Sequence, residues 1–137
     1  MTMGVVRVKH GVLFETIAPA GFRILGAIES VARSMNYDLT ITSASDGTHS
    51  GPNDPHHRGE AFDIRSKTIA PSVKDDVLRL LLLDLCEHKE TLQPVSIGFA
   101  TSLFYAQLED RDGENEHIHL QLRTGRQYPP ILRTEEA

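Results

Sequence analysis

The chain has one cysteine, no tryptophan, no long apolar run and no excess of positive charge, with a formal net charge of −5 over 137 residues. A lone cysteine excludes an internal disulfide. Cys86 lies in an apolar helical run and reads as a small buried hydrophobe. The greasiest stretch, Leu78 to Cys86, is interrupted by Arg79 and Asp84 and falls far short of a membrane span. The acidic balance argues against nucleic acid as a partner, because phosphate-binding surfaces are usually basic. Met1 to Glu15 contains Arg7 and Lys9 but no uninterrupted apolar stretch of signal-peptide length. These absences predict a chain synthesised in the cytoplasm, with no signal peptide and no membrane insertion.

The length fits one domain spanning 1–137, with an irregular tail over 125–137 around Pro129-Pro130. From Pro19 to Met35, Phe22, Leu25, Ile28, Val31, Ala32 and Met35 recur at three- and four-residue steps. That predicts an amphipathic helix stopped near Asn36 by a left-handed cap. Leu39 to Thr42 alternates as a strand, and Ser43 to Pro55, rich in Ser, Asp, Gly, Asn and Pro, forms a loop. Glu60 to Arg65 reads as a short strand. A second helix starts with Ser72 as its N-cap and runs to about Lys89, burying Val77, Leu80, Leu81 and Leu85. Three strands follow, Val95–Ala100, Leu103–Leu108 and His117–Arg123, the last two joined by a polar turn around Gly113. The order predicts an α+β fold: an antiparallel sheet of about four to five strands with two main helices on one face.

Two segments carry the chemistry: His56-His57-Arg58-Gly59-Glu60-Ala61-Phe62-Asp63 and Glu116-His117-Ile118-His119. Between them they offer two imidazoles and a carboxylate for one metal ion. Such a set leaves a coordination position open, as catalytic zinc sites do. Strand alternation puts Ile118, Leu120 and Leu122 on one face and His117, His119, Gln121 and Arg123 on the other. The same rule sets Phe62 and Ile64 in the core and groups Ala61, Asp63 and Arg65 on the polar face. A carboxylate on a strand needs a reason. A metal is one; a salt bridge to Arg65 or Arg123 is the other. Gly59 allows a tight turn between His56 and the strand.

The pattern His56-x-x-Gly59-x-Ala61-x-Asp63 followed by Glu116-His117-x-His119 resembles the zinc D-alanyl-D-alanine carboxypeptidase family of the Hedgehog/DD-peptidase fold, which includes bacterial cell-wall peptidases and phage endolysins. The resemblance covers roughly Thr40 to Leu122. It implies that His56, Asp63 and His119 ligate zinc, that Glu116 is the general base, and that His117 stabilises the transition state. It also implies that His49 lines the cleft. Two departures stand out: Asp54 occupies a position where the family usually has Ser, and no Arg lies between Leu39 and Pro55 to grip a substrate carboxylate. Arg65 is a candidate substitute, and both carboxypeptidase and endopeptidase activity stay open. Regular alternation, however, turns Glu116 away from His117. It reaches the ion only if the strand begins at His117 or bulges before it. Glu114 is the alternative base.

The expected reaction is zinc-dependent hydrolysis of peptide bonds in peptidoglycan stem peptides, with access to the cell wall only after release from the cell. A non-catalytic zinc-binding module of the same fold is the second reading. A non-haem iron oxygenase is the third, because two His and a carboxylate also make a facial triad. That chemistry usually occupies a double-sheet jelly roll.

Overall fold

Two helices form where apolar residues recur at helical spacing. The computed structural model describes residues 4–45, 55–56, 58–86 and 91–123. Helix α1 spans Pro19–Met35 and ends at Asn36, whose φ of 54° and ψ of 47° are left-handed. The amide of Tyr37 returns to the Ala32 carbonyl, closing the last turn as a helix stop of this kind requires. Its buried face is Gly21, Ile24, Ala27, Ile28, Val31 and Ala32. Phe22 is not on it: the ring is 62% exposed. At 100° per residue Phe22 lies roughly 160° around the helix from Ile24.

Helix α2 spans Pro71–Leu85 and buries Val77, Leu78, Leu81, Leu82 and Leu85. Leu80, expected in the core, is only half-buried. The helix starts one residue before the expected cap, with Ala70 at the N-cap and Pro71 in the first turn, not Ser72 at the cap. Proline suits that position because an amide there would have no helical partner. Cys86 follows the helix and is partly rather than fully buried. No helix among the described residues is long and apolar enough to cross a membrane.

The sheet corrects the expected four to five antiparallel strands. Among the described residues seven strands, β1 (Val6–Val8), β2 (Leu39–Ser43), β3 (Ala61–Arg65), β4 (Gln93–Val95), β5 (Gly98–Ala100), β6 (Phe104–Glu109) and β7 (His117–Leu122), form one sheet. Their order is β1-β2-β3-β7-β6-β5-β4. The sheet is mixed, because β1 runs parallel to β2 while every other pair is antiparallel. The single strand expected over Val95–Ala100 is instead broken by a tight hairpin turn at Ser96-Ile97, with Ile97 at φ 51°, between the end of β4 at Val95 and β5.

One face of the sheet carries Leu39, Ile41, Phe62, Ile64, Phe104, Ala106, Ile118 and Leu120, in one apolar cluster with the helices. Burying one such Ile or Leu contributes on the order of 1.5–3 kcal/mol. That burial fixes the register, since a one-residue slip would turn Ile118 and Leu120 to the opposite face. The same alternation sends His117, His119 and Gln121 away from the helices. The tail from residue 125 and most of the loop from 43 to 55 lie outside the described residues.

Candidate metal centre

The central strands bring the polar residues together. Asp63 of β3 pairs directly with His119 of β7, Arg65 with His117, and Ala61 with Gln121. On the other side of β7, Gln107 of β6 pairs with His119 and Glu109 with His117. His56 arrives from the turn before β3. That turn is held by hydrogen bonds from the Gly59 amide to the His56 carbonyl and from the Glu60 amide to Pro55. It also docks on the start of α1, where the Ala18 amide donates to the Gly59 carbonyl. Glycine is required at 59: its φ is 72°, and a Cβ would sit 2.3 Å from the Thr16 carbonyl oxygen.

Asp63 Oδ1 is the hub. It lies 2.8 Å from His119 Nδ1, 3.4 Å from His56 Nε2 and 3.8 Å from His117 Nε2. The carboxylate has no ion pair with Arg65, and Arg123 instead donates to the Thr101 carbonyl. Each imidazole is oriented from behind by an oxygen. His56 Nδ1 meets the Ala44 carbonyl at 2.9 Å, His117 Nδ1 the Asn115 carbonyl at 2.7 Å, and His119 Nε2 the Gln121 side-chain oxygen at 2.6 Å. Such acceptors fix the tautomer of metal-ligating histidines and leave the other nitrogen facing the ion. His56 and His119 are buried, at 5% and 8% exposure.

The donor atoms of His56, Asp63 and His119 all lie within 4.8 Å of one another, so this group can hold a metal ion. A second group, Glu109, His117 and His119, meets the same condition. Two imidazoles and one carboxylate suit a transition ion with a free coordination position. Burial works to raise the Asp63 carboxyl, but hydrogen bonds from His119 and His56 prevail and hold it well below the usual range. Burial lowers His119, and the Asp63 carboxylate more than reverses this, leaving it raised. His117 is pushed up to about 9, chiefly by its 3.0 Å hydrogen bond to Glu109, which lowers Glu109 in turn.

Glu116 borders the same pocket as Asp63 and His117, but its carboxylate is engaged by other groups. Its carboxylate accepts from Ser66 Oγ at 2.7 Å, from Lys74 Nζ of α2 at 2.5 Å and from the Asp112 amide at 2.9 Å. It is buried and, despite the opposing effect of burial, these donors bring its carboxyl down to about 2. The β7 strand does not bulge to bring it round: pairing with β6 and β3 is continuous from His117. Glu114 is exposed and hydrogen-bonded to nothing among the described residues. His49 lies outside the described residues.

Arg65 is half-buried and lines a pocket of about 320 Å³ with Lys9, Thr42, Asp63, Lys67, Glu114, Asn115, Glu116 and His117. Among the described residues its guanidinium has no ion-pair partner. A larger hollow of about 530 Å³ also touches Arg65 but includes none of the imidazoles. Glu109 was hidden at the edge of an acidic turn. Extending the β6 alternation one step beyond Leu108 reaches it, on the same face as Tyr105 and Gln107.

Comparison with known proteins assigns no family: no family model, curated protein or solved structure matches the chain.

Proposed function

We propose that the chain is a zinc-dependent peptidase of the Hedgehog/DD-peptidase type, hydrolysing peptide bonds of peptidoglycan stem peptides. The observation that carries the hydrolase reading is Asp63 Oδ1 within 4 Å of three imidazole nitrogens, each imidazole oriented by an oxygen on its far side. The substrate class rests on the motif resemblance. The Lys9, Arg65 and Lys67 side chains beside Asp63 and His117 support it, because stem peptides carry free carboxylates.

His56, Asp63 and His119 would hold the ion. Zinc bound there supplies a Lewis acid for the scissile carbonyl and lowers the pKa of water toward ~7. The remaining work falls to the chain. Glu116, its carboxylate taken by Ser66, Lys74 and the Asp112 amide, gives way to Glu109 as the proton-handling carboxylate. Glu109 Oε1 and His117 Nε2 share a proton across 3.0 Å, so the pair can accept one from the attacking water and return it to the leaving amine. His117 also offers a donor to oxygen charge that develops in the transition state. Arg65 and Lys9 orient the peptide through its carboxylates.

The iron-oxygenase reading lacks its usual scaffold, since the described strands form one mixed sheet under two helices rather than a jelly roll. Zinc-loaded protein incubated with purified peptidoglycan and stem peptides, with products identified by mass spectrometry, tests the proposal. Zinc-dependent release of D-alanine or of separated stems is expected. Intact substrate in the presence of zinc-bound protein would sink the peptidase and leave the binding module.

A further inference from the structure

We infer that the Glu109–His117 pair is a second divalent-cation site, linked to the first through Asp63, whose ion displaces the proton the pair shares, so that the peptidase proposed above is the one-ion form. The inference rests on His56, Asp63 and His119 holding the first ion. Glu109 Oε1 and His117 Nε2 are 3.0 Å apart, close to the spacing of two ligands on one transition ion. They belong with His119 to a set whose donor atoms lie within 4.8 Å of one another. His119 itself cannot serve both ions. Its Nδ1 faces Asp63 at 2.8 Å and its Nε2 is taken by Gln121 at 2.6 Å.

Asp63 fills that gap. Its Oδ1 lies 3.8 Å from His117 Nε2 as well as 3.4 Å from His56 Nε2. A carboxylate in that position can bridge two ions, which in two-metal hydrolytic sites stand ~3.5–4 Å apart. His117 is prepared for the role as the first-site ligands are: the Asn115 carbonyl, 2.7 Å from Nδ1, leaves Nε2 as the nitrogen presented to the site. The backbone under the pair is rigid, because Glu109 and His117 are cross-strand partners of the β6–β7 hairpin. Glu109 is 42% exposed at its side chain, so the position is open to ions and to water ligands. One imidazole with two carboxylates suits zinc, cobalt or manganese.

The test counts ions. The full chain, stripped with a chelator, is titrated with zinc chloride alone and its bound zinc measured by mass spectrometry after desalting. The same is done for Glu109→Gln, a substitution at a part-exposed side chain that keeps the shape. The wild type is expected to take two ions per chain. Glu109→Gln is expected to keep the first and bind the second at least ~10-fold more weakly. Saturation of the wild type at one ion overturns the second site and leaves the peptidase proposal standing. Two ions with unchanged affinity in Glu109→Gln also overturn it. A wild type that binds no zinc removes both proposals together.

Discussion

Glu116 and His117 are consecutive, yet their side chains are held by different partners, Glu116 just before β7 and His117 as its first residue. Glu116 accepts a hydrogen bond from Lys74 of α2 at 2.5 Å, whereas His117 Nε2 points to Glu109 and Asp63. The pairing of β7 is unbroken from His117 onward, and the Glu116 carboxylate one residue earlier is held by Ser66, Lys74 and the Asp112 amide. Glu116 thus bolts the β6–β7 turn to α2, and the carboxylates that meet the imidazoles are Asp63 and Glu109.

Glu116→Gln is therefore expected to lower stability and leave metal affinity unchanged. The substitution removes the charge that Lys74, Ser66 and the Asp112 amide converge on, in a buried setting. A loss of about 2–3 kcal/mol is expected in urea unfolding. A variant with wild-type stability, normal zinc content and no turnover would instead return Glu116 to the chemistry.

Much of this centre was legible in the residues. Alternation in Glu60–Arg65 and His117–Arg123 placed Asp63 and His119 on one polar face, and the spacing of Leu25, Ile28, Val31, Ala32 and Met35 located α1, although Phe22 of the same series is exposed. What escaped depends on contacts distant in sequence. Two of the three partners of Glu116, Ser66 and Lys74, are 50 and 42 residues away, so its motif position pointed to the ion while its charge partner lies on α2. Strand β1 is three residues long and contains Arg7, so it lacks a strand signature until it pairs with β2. Glu109 stands at the start of the polar turn expected around Gly113, and only cross-strand pairing with His117 gives it a site.

Metal-free protein should be most stable between about pH 4.5 and 6.5. His117 holds its proton up to about 9 in the fold against an ordinary value of 6.5. Its contribution is complete below 6.5 and is lost as pH rises through 9. Glu116 behaves oppositely: its carboxyl stays ionised down to about 2 against an ordinary 4.5. Its contribution is present above 4.5 and is lost as pH falls toward 2, with Asp63 acting in the same direction. Urea midpoints across pH check this; a midpoint that keeps rising from pH 7 to 9 without metal would contradict the His117 assignment.

Gln121→Ala is expected to weaken zinc binding by ~10–100-fold without removing a ligand. The Gln121 oxygen holds His119 Nε2 at 2.6 Å and so keeps Nδ1 toward Asp63. With alanine the imidazole is free to rotate and its Nε2 proton loses a buried acceptor. Competition titration against a chromophoric chelator measures the change. Equal affinities would mean that packing against Tyr105 and His56, whose rings lie 5.8 and 5.1 Å from His119, orients the ring alone.

Gly59→Ala should affect both fold and metal. Alanine is strained at a φ of 72°, and its Cβ would press on the Thr16 carbonyl. A stability loss above ~1 kcal/mol is expected, with weaker zinc binding because the turn that carries His56 must shift. Thermal unfolding with and without zinc separates the two effects. The increase in midpoint produced by zinc should be smaller in the variant than in the wild type.

Glu109 and His117 should fail as a unit. If the proton passes between Oε1 and Nε2, removing either group breaks the same path. Glu109→Gln and His117→Ala, each loaded with one equivalent of zinc, should lose ~10²–10⁴-fold in kcat with little change in KM. The double variant should then lose scarcely more than either single one, since groups that act together are strongly non-additive. Multiplicative losses would mean independent roles, with His117 acting on the transition state and Glu109 only balancing its charge. The pH profile decides the same point from another side. In the wild type the alkaline limb of kcat should follow His117, and in Glu109→Gln that limb should move to lower pH. The carboxylate is the chief cause of the imidazole's raised pKa, so its removal lets His117 lose its proton earlier.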